Sequence, residues 1–232
     1  LNEQGLKTRN NIMKRKSLIL LGALLATGLY GFTELTKSKT GETVLFNFLE
    51  TDSYVVGDEA QDFSLLNIDG SKKSLASFKG AKGFIVVFTS NHCPFSKAYE
   101  ERMVALDGKY ASLGYPVIAL NPNDPEAYEE DTHENMKKRA SEKGFTYPYL
   151  VDDKGIGQIY GAKRTPQVFV LKKEVGKNIV KYIGAIDDNA QDASSVNKKY
   201  VEDAVDNLLA NKPVVTQNTK AIGCAIKWRS NI

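Results

Sequence analysis

The sequence predicts an α/β fold, a mixed central sheet flanked by helices, and three observations carry that expectation. The run Phe84-Ile85-Val86-Val87-Phe88 is short, β-branched and aromatic and follows Gly80 and Gly83, so it reads as a buried strand. Directly after it, Phe95, Tyr99, Met103, Leu106 and Tyr110 recur at helical spacing. Two further strand-like runs, Tyr115–Leu120 and Gln167–Leu171, lie downstream.

From the start of the chain, residues 1–12 are polar and read as an upstream extension outside the fold. Met13-Lys14-Arg15-Lys16 is a basic segment and Ser17–Phe32 an apolar one, the pattern of an export signal. The apolar run falls short of the roughly 20 residues a spanning helix needs, and no clean Ala-x-Ala site follows it. Residues 13–32 are therefore expected to be either a cleaved signal peptide or an N-terminal membrane anchor. Both place the protein outside the cytoplasm, in the periplasm or cell envelope, touching a membrane only through that segment. Residues 33–54 read as a linker with one apolar patch, Val44–Leu49, suited to a short strand or a docking turn.

The folded domain is expected over residues 55–213, and residues 214–232 form a tail. Phe63–Ile68, the turn Asp69-Gly70 and Ser71–Leu75 read as an N-terminal β-hairpin extension, since Asp-Gly supplies the positive φ angles of a two-residue loop. Pro94 suits the first turn of a helix, where its missing N–H costs nothing, and Gly114 marks that helix's end. The cluster Asn121-Pro122-Asn123-Asp124-Pro125 ends the second strand. Asp131 with Glu134 fits a capping box before a polar helix that runs to about Lys143 and closes at Gly144. Phe145–Asp152 reads as an edge or irregular strand, Gly157–Ala162 as a short helix, and Ile179–Gly184 as a last strand. Val201, Ala204, Val205, Leu208 and Leu209 form one apolar helical face, ended by Pro213.

Composition narrows the function. Over 232 residues the net charge is +3, with lysines scattered among acids, which argues against a nucleic-acid partner. Only two cysteines are present, Cys93 and Cys224, so neither a disulfide scaffold nor a multi-cysteine zinc site is available, and no metal or other cofactor is expected. Cys93 stands where the buried strand meets the helix start. Unpaired N–H groups and the positive helix end favour thiolate there, with His92 and Lys97 as further sources of positive charge, and all lower a thiol pKa from its ordinary value of roughly 8.5. The bland alternative is a buried structural thiol. Cys224 has three readings: a resolving partner for Cys93, a separate redox thiol, or an inert tail residue. A flexible tail brings a distant cysteine back at a cost that grows slowly with loop length.

A strand leading to a cysteine at a helix start, with Thr165-Pro166 opening a later strand, resembles the thioredoxin fold from about Val55 to Pro213. The resemblance implies that Lys97, four residues after Cys93, holds the usual lysine place, and that Pro166 is cis and packs against the active sulfur. The phrases Asn91–Glu100, Asn121–Pro125, Ile186-Asp187-Asp188-Asn189 and Ile222–Trp228 are similar to the redoxin (AhpC/TSA, peroxiredoxin-like) branch of that superfamily. Two departures bear on mechanism. A dithiol reductant has Cys-x-x-Cys, and here the fourth position is Ser96. A peroxiredoxin has Pro-x-x-x-Thr-x-x-Cys, and here Val86 replaces the proline while Ser90 keeps the hydroxyl.

The resemblance implies an exported thiol oxidoreductase with Cys93 as redox nucleophile on a peroxide or a protein disulfide, Cys224 as a possible resolving thiol, and an external thiol as electron donor. Ser90, Ser96, Thr165 and Pro166 are its expected site residues, and His92, Lys97 and Arg164 its expected charge-tuning residues; Arg102 is a second arginine to place. A non-catalytic binding or scaffold module with the same fold is the alternative. Oligomeric state is not legible in the sequence.

Overall fold

In the computed structural model, which describes residues 53–230, the run around Phe84 is strand β3 (Gly83–Phe88), and all six residues are buried. Its neighbours follow from pairing. In order of sequence the strands are β1 (Leu65–Asn67), β2 (Lys72–Lys73), β3, β4 (Val117–Asn121), β5 (Tyr149–Val151), β6 (Arg164–Thr165), β7 (Gln167–Glu174), β8 (Lys177–Gly184) and β9 (Cys224–Ala225). Seven of them form one sheet in the order β2-β1-β5-β4-β3-β7-β8, while β6 and β9 form a separate pair. β3 runs parallel to β4 and antiparallel to β7, and β4 runs parallel to β5. This mixed sheet is the thioredoxin fold, with the hairpin β1–β2 added at one edge.

The period-2 alternation of β3 builds two cores. Ile85 and Val87 pack with Met103, Leu106 and Tyr110 of α1 (Pro94–Tyr110), Met136 of α2 (His133–Lys143) and Val205 and Leu208 of α4 (Tyr200–Leu209). Phe84, Val86 and Phe88 face the other way, against Phe63, Leu65 and Leu75 and against Ile156 and Tyr160 of α3 (Ile156–Tyr160). Burial on both faces explains why the strand reads as an unbroken apolar run.

Three local expectations change. The hairpin loop has three residues, not two: Asn67 N–H donates to Ser71 O at 2.8 Å, and only Gly70 takes positive φ, at 82°. Asp69 spares a second glycine by accepting from Ser71 N at 2.8 Å. The segment before α3 is not an edge strand, since β5 lies inside the sheet between β1 and β4; Pro148 sits just before the paired residues and removes no ladder bond. The N-cap of α2 is Thr132, whose Oγ1 accepts from Asn135 N; Asp131 is not part of a capping box.

The expectations for residues 1–12, the signal or anchor at 13–32, the linker and the Val44–Leu49 patch lie outside the described residues, apart from Ser53 and Tyr54. No helix among the described residues is long and apolar enough to cross a membrane.

Candidate active site

β3 delivers the chain through Thr89, Ser90, Asn91 and His92 to Cys93, the N-cap residue of α1, with Pro94 in the first turn. Extended backbone at Cys93 (φ −72°, ψ 122°) turns the strand into the helix. First-turn N–H groups have no acceptor within the helix, so those of Phe95 and Ser96 are open to a charge at the sulfur. Cys93 itself is fully buried.

A second strand end closes over it. Thr165-Pro166 is a cis peptide bond between β6 and β7, and Ser90 Oγ lies 3.0 Å from Thr165 Oγ1. Cys93 Sγ lies 3.1 Å from Thr165 O. In the disulfide Cys93 has no proton to donate, so this is a packing contact.

The tail completes the site. Cys224 is disulfide-bonded to Cys93, with their Cα atoms 5.9 Å apart. Its strand β9 pairs antiparallel with β6, setting Cys224 opposite Thr165. Gly223 is required just before it, because a Cβ there would lie 2.1 Å from Thr165 O. Beyond the cysteine, Lys227 N donates to Asn123 Oδ1 at 2.9 Å, and Asp124 N donates to Lys227 O at 2.8 Å. The Trp228 ring lies over Gly157, where a Cβ would come within 3.0 Å of it. Burial pushes the neighbouring Asp152 carboxyl above its usual range, against the opposing effects of the Gly157 and Ile156 N–H groups and Arg229.

Ser90, Cys93, Thr165, Pro166 and Cys224 thus come together. Ser96 lies three residues into α1 from Cys93, on the same helical face; it is buried and its Oγ has no hydrogen-bond partner. The expected charges are placed otherwise. Lys97 is exposed, and Arg164 is exposed with Nη1 donating to Gly223 O at 3.3 Å. Arg102 pairs with Asp187 at 2.6 Å and donates to the carbonyls of Asn189, Ala190 and Ala98, so it holds the 187–190 loop.

His92 leads to a buried cluster that sequence reasoning missed. Its Nδ1 lies 2.7 Å from Asp131 Oδ2, and its ring stacks on Tyr128 with centroids 3.7 Å apart. A carboxylate accepts only, so Nδ1 carries the proton. Asp131, whose side chain is fully buried, also accepts from Asn91 N at 2.6 Å, Asn121 Nδ2 at 2.9 Å and Asn123 Nδ2 at 2.9 Å. One carboxylate therefore ties the loop before Cys93 to the end of β4. Asn123 extends the tie to the tail through Lys227. Among the described residues no group of three or more His, Cys, Asp or Glu side chains could hold a metal ion.

Residues 56–183 match the AhpC/TSA family. Among solved structures, the chain resembles the hypothetical protein SMc02350 of Sinorhizobium meliloti 1021, with 34% identity and a TM-score of 0.71, covering 78% of this chain and 98% of that one. An uncharacterized conserved protein of Geobacillus kaustophilus is similar to the same degree, with 33% identity, a TM-score of 0.71, and coverage of 78% and 96%. Thiol-disulfide oxidoreductase ResA of Halalkalibacterium halodurans is 27% identical over 136 residues, which are 57% of this chain and 72% of that protein. Since the family match takes in more than half of the 232 residues, the chain belongs to the AhpC/TSA family, the redoxin branch of the thioredoxin superfamily, and is a thiol oxidoreductase.

Proposed function

We propose that the protein is an exported thiol-disulfide oxidoreductase that cycles between a Cys93–Cys224 disulfide and the corresponding dithiol. The pairing of the helix-start cysteine with the tail cysteine across the Thr165-Pro166 loop carries the reading. A two-electron exchange needs a second sulfur to release the first from a mixed disulfide. Ser96 leaves no second sulfur inside the helix, and the Cys93–Cys224 pair supplies both sulfurs. The Ser96 hydroxyl, buried without a partner, donates to the Cys93 thiolate once the disulfide opens. Ser90 and Thr165 hold the loop against the strand end, and the His92–Asp131 pair fixes the backbone that delivers the sulfur. The substrate is a protein disulfide, and the electron donor is an external thiol.

Peroxide chemistry has less support, because Arg102 is committed to the 187–190 loop and Arg164 to the Gly223 carbonyl. Export is supported by the basic Met13–Lys16 followed by the apolar 17–32 run, and by a disulfide that oxidising compartments preserve.

The test is catalysed reduction of insulin disulfides by dithiothreitol. The wild-type chain is expected to accelerate the reaction, and Cys93→Ser and Cys224→Ser each to lose at least 100-fold. A wild-type rate equal to dithiothreitol alone would overturn the assignment and leave the scaffold alternative.

A further inference from the structure

We propose that thiol exchange with partners takes place at Cys224, and that Cys93 is the sulfur expelled and regained inside the protein. The inference rests on the thiol-disulfide reading above and assigns the entry point that reading leaves open. The two residues of the disulfide are not equivalent in exposure: Cys93 is fully buried, whereas Cys224 is half-buried between the exposed residues Ile222 and Ala225. Where two sulfurs share a bond, the accessible one is attacked, and the leaving sulfur departs faster the better its thiolate is stabilised. Both conditions select Cys224 as target, since the Cys93 thiolate is released at the open N–H groups of α1.

Cys93 stays covered because the tail is docked by contacts that do not involve the disulfide. Upstream of Cys224, Val214 is buried in the core, Thr219 N donates to Ile183 O at 3.0 Å, and Thr219 Oγ1 accepts from Ala185 N at 2.9 Å. Downstream, Lys227 is bound to Asn123 and Asp124, and Trp228 lies over Gly157. Between them, Gly223 sits against the Thr165 carbonyl and β9 takes up the backbone of β6. A polypeptide reaching for Cys93 would have to displace this whole strap, while Cys224 lies on the strap itself, next to the exposed Ala225.

The exchange then balances as follows. A donor thiolate attacks Cys224 Sγ, a bond forms between the donor sulfur and Cys224, the Cys93–Cys224 bond breaks, and its electron pair leaves on Cys93. A second thiolate of the same dithiol donor attacks the donor sulfur of the mixed disulfide. Cys224 departs as thiolate and takes a proton, so the donor ends as a disulfide and the protein as a dithiol. With a substrate disulfide the steps reverse: Cys224 attacks first, and Cys93 releases the reduced substrate by re-forming the internal bond.

The probe is 5,5′-dithiobis(2-nitrobenzoate), which forms a mixed disulfide with one thiol and releases one coloured thiolate. Reduced Cys93→Ser, in which only Cys224 remains, is expected to react at least tenfold faster than reduced Cys224→Ser at pH 9, where ionisation is largely levelled. Both should react alike in 8 M urea. A Cys93 that reacts as fast as Cys224 or faster in the folded protein overturns the inference, as does failure of both to react before urea is added. Mapping glutathione on the oxidised wild-type chain after acid quench gives a second readout, with the adduct expected on Cys224 and an adduct on Cys93 overturning the assignment. Wild-type turnover of insulin with Cys93 as the faster thiol defeats only the entry point; absence of turnover defeats the redox reading itself.

Discussion

Reducing the Cys93–Cys224 bond is expected to lower the unfolding free energy of the chain by about 2–4 kcal/mol. The bond closes a loop across 131 residues of sequence. A loop of roughly 100 residues removes about 4.7 kcal/mol of chain entropy from the unfolded state in the simplest model, and measured effects run below it. The docked tail is the reason to expect the fold to survive the loss. Urea unfolding of the wild-type chain with and without dithiothreitol measures the difference, and Cys224→Ser should match the reduced protein without responding to the reductant. Equal stability of the oxidised and reduced chains would mean that the pair does not constrain the unfolded state.

Asp131→Ala should destabilise the protein by about 3–5 kcal/mol, the range for breaking a buried charged cluster by removing one partner. Its carboxylate is the common acceptor for Asn91 N, Asn121 Nδ2, Asn123 Nδ2 and His92 Nδ1. Removing it leaves several donors buried, each at roughly 1–3 kcal/mol, partly offset by water entering near the half-buried His92. Asp131→Asn should cost less, because one oxygen still accepts while the new amide faces the Asn123 and His92 donors. The same variants should slow exchange at the cysteine pair, since Asp131 grips the backbone two residues before Cys93 and, through Asn123, the tail at Lys227. A small change in urea unfolding for Asp131→Ala would show that the cluster is replaced readily by solvent.

Much of the fold was legible because its signals are local. β3 is apolar on both faces, so its burial shows in five consecutive residues. Pro94 and the Phe95-to-Tyr110 spacing mark α1 from within, and Thr165-Pro166 is a dipeptide. The misread parts depend on partners distant in sequence. Asp131 with Glu134 has the composition of a capping box, and Thr132 takes the cap by lying one residue nearer the helix. The true partners of Asp131 come from β4 and the loop after β3, and no spacing rule connects them. The clue present in the sequence was polar crowding: Asn121 is the last residue of its strand, and Asn91 and Asn123 sit just beyond strands that end in the core. β5 reads as an edge because Pro148 precedes it, yet the hairpin added at β1 encloses it. The tail has neither helical nor strand period, and it is held by single contacts at Val214, Thr219, Gly223 and Lys227 that leave no pattern.

The redox-couple assignment is tested most directly by an equilibrium titration of the full chain in dithiothreitol buffers of stepped ratio, quenched in acid and alkylated with a maleimide. Cys93 and Cys224 should lose their reactivity together in one two-electron transition, with the oxidised-to-reduced ratio changing tenfold for about 30 mV. Neither single-serine variant should show that transition. Alkylation of Cys224 under conditions where Cys93 is oxidised, or two separate transitions, would contradict the assignment.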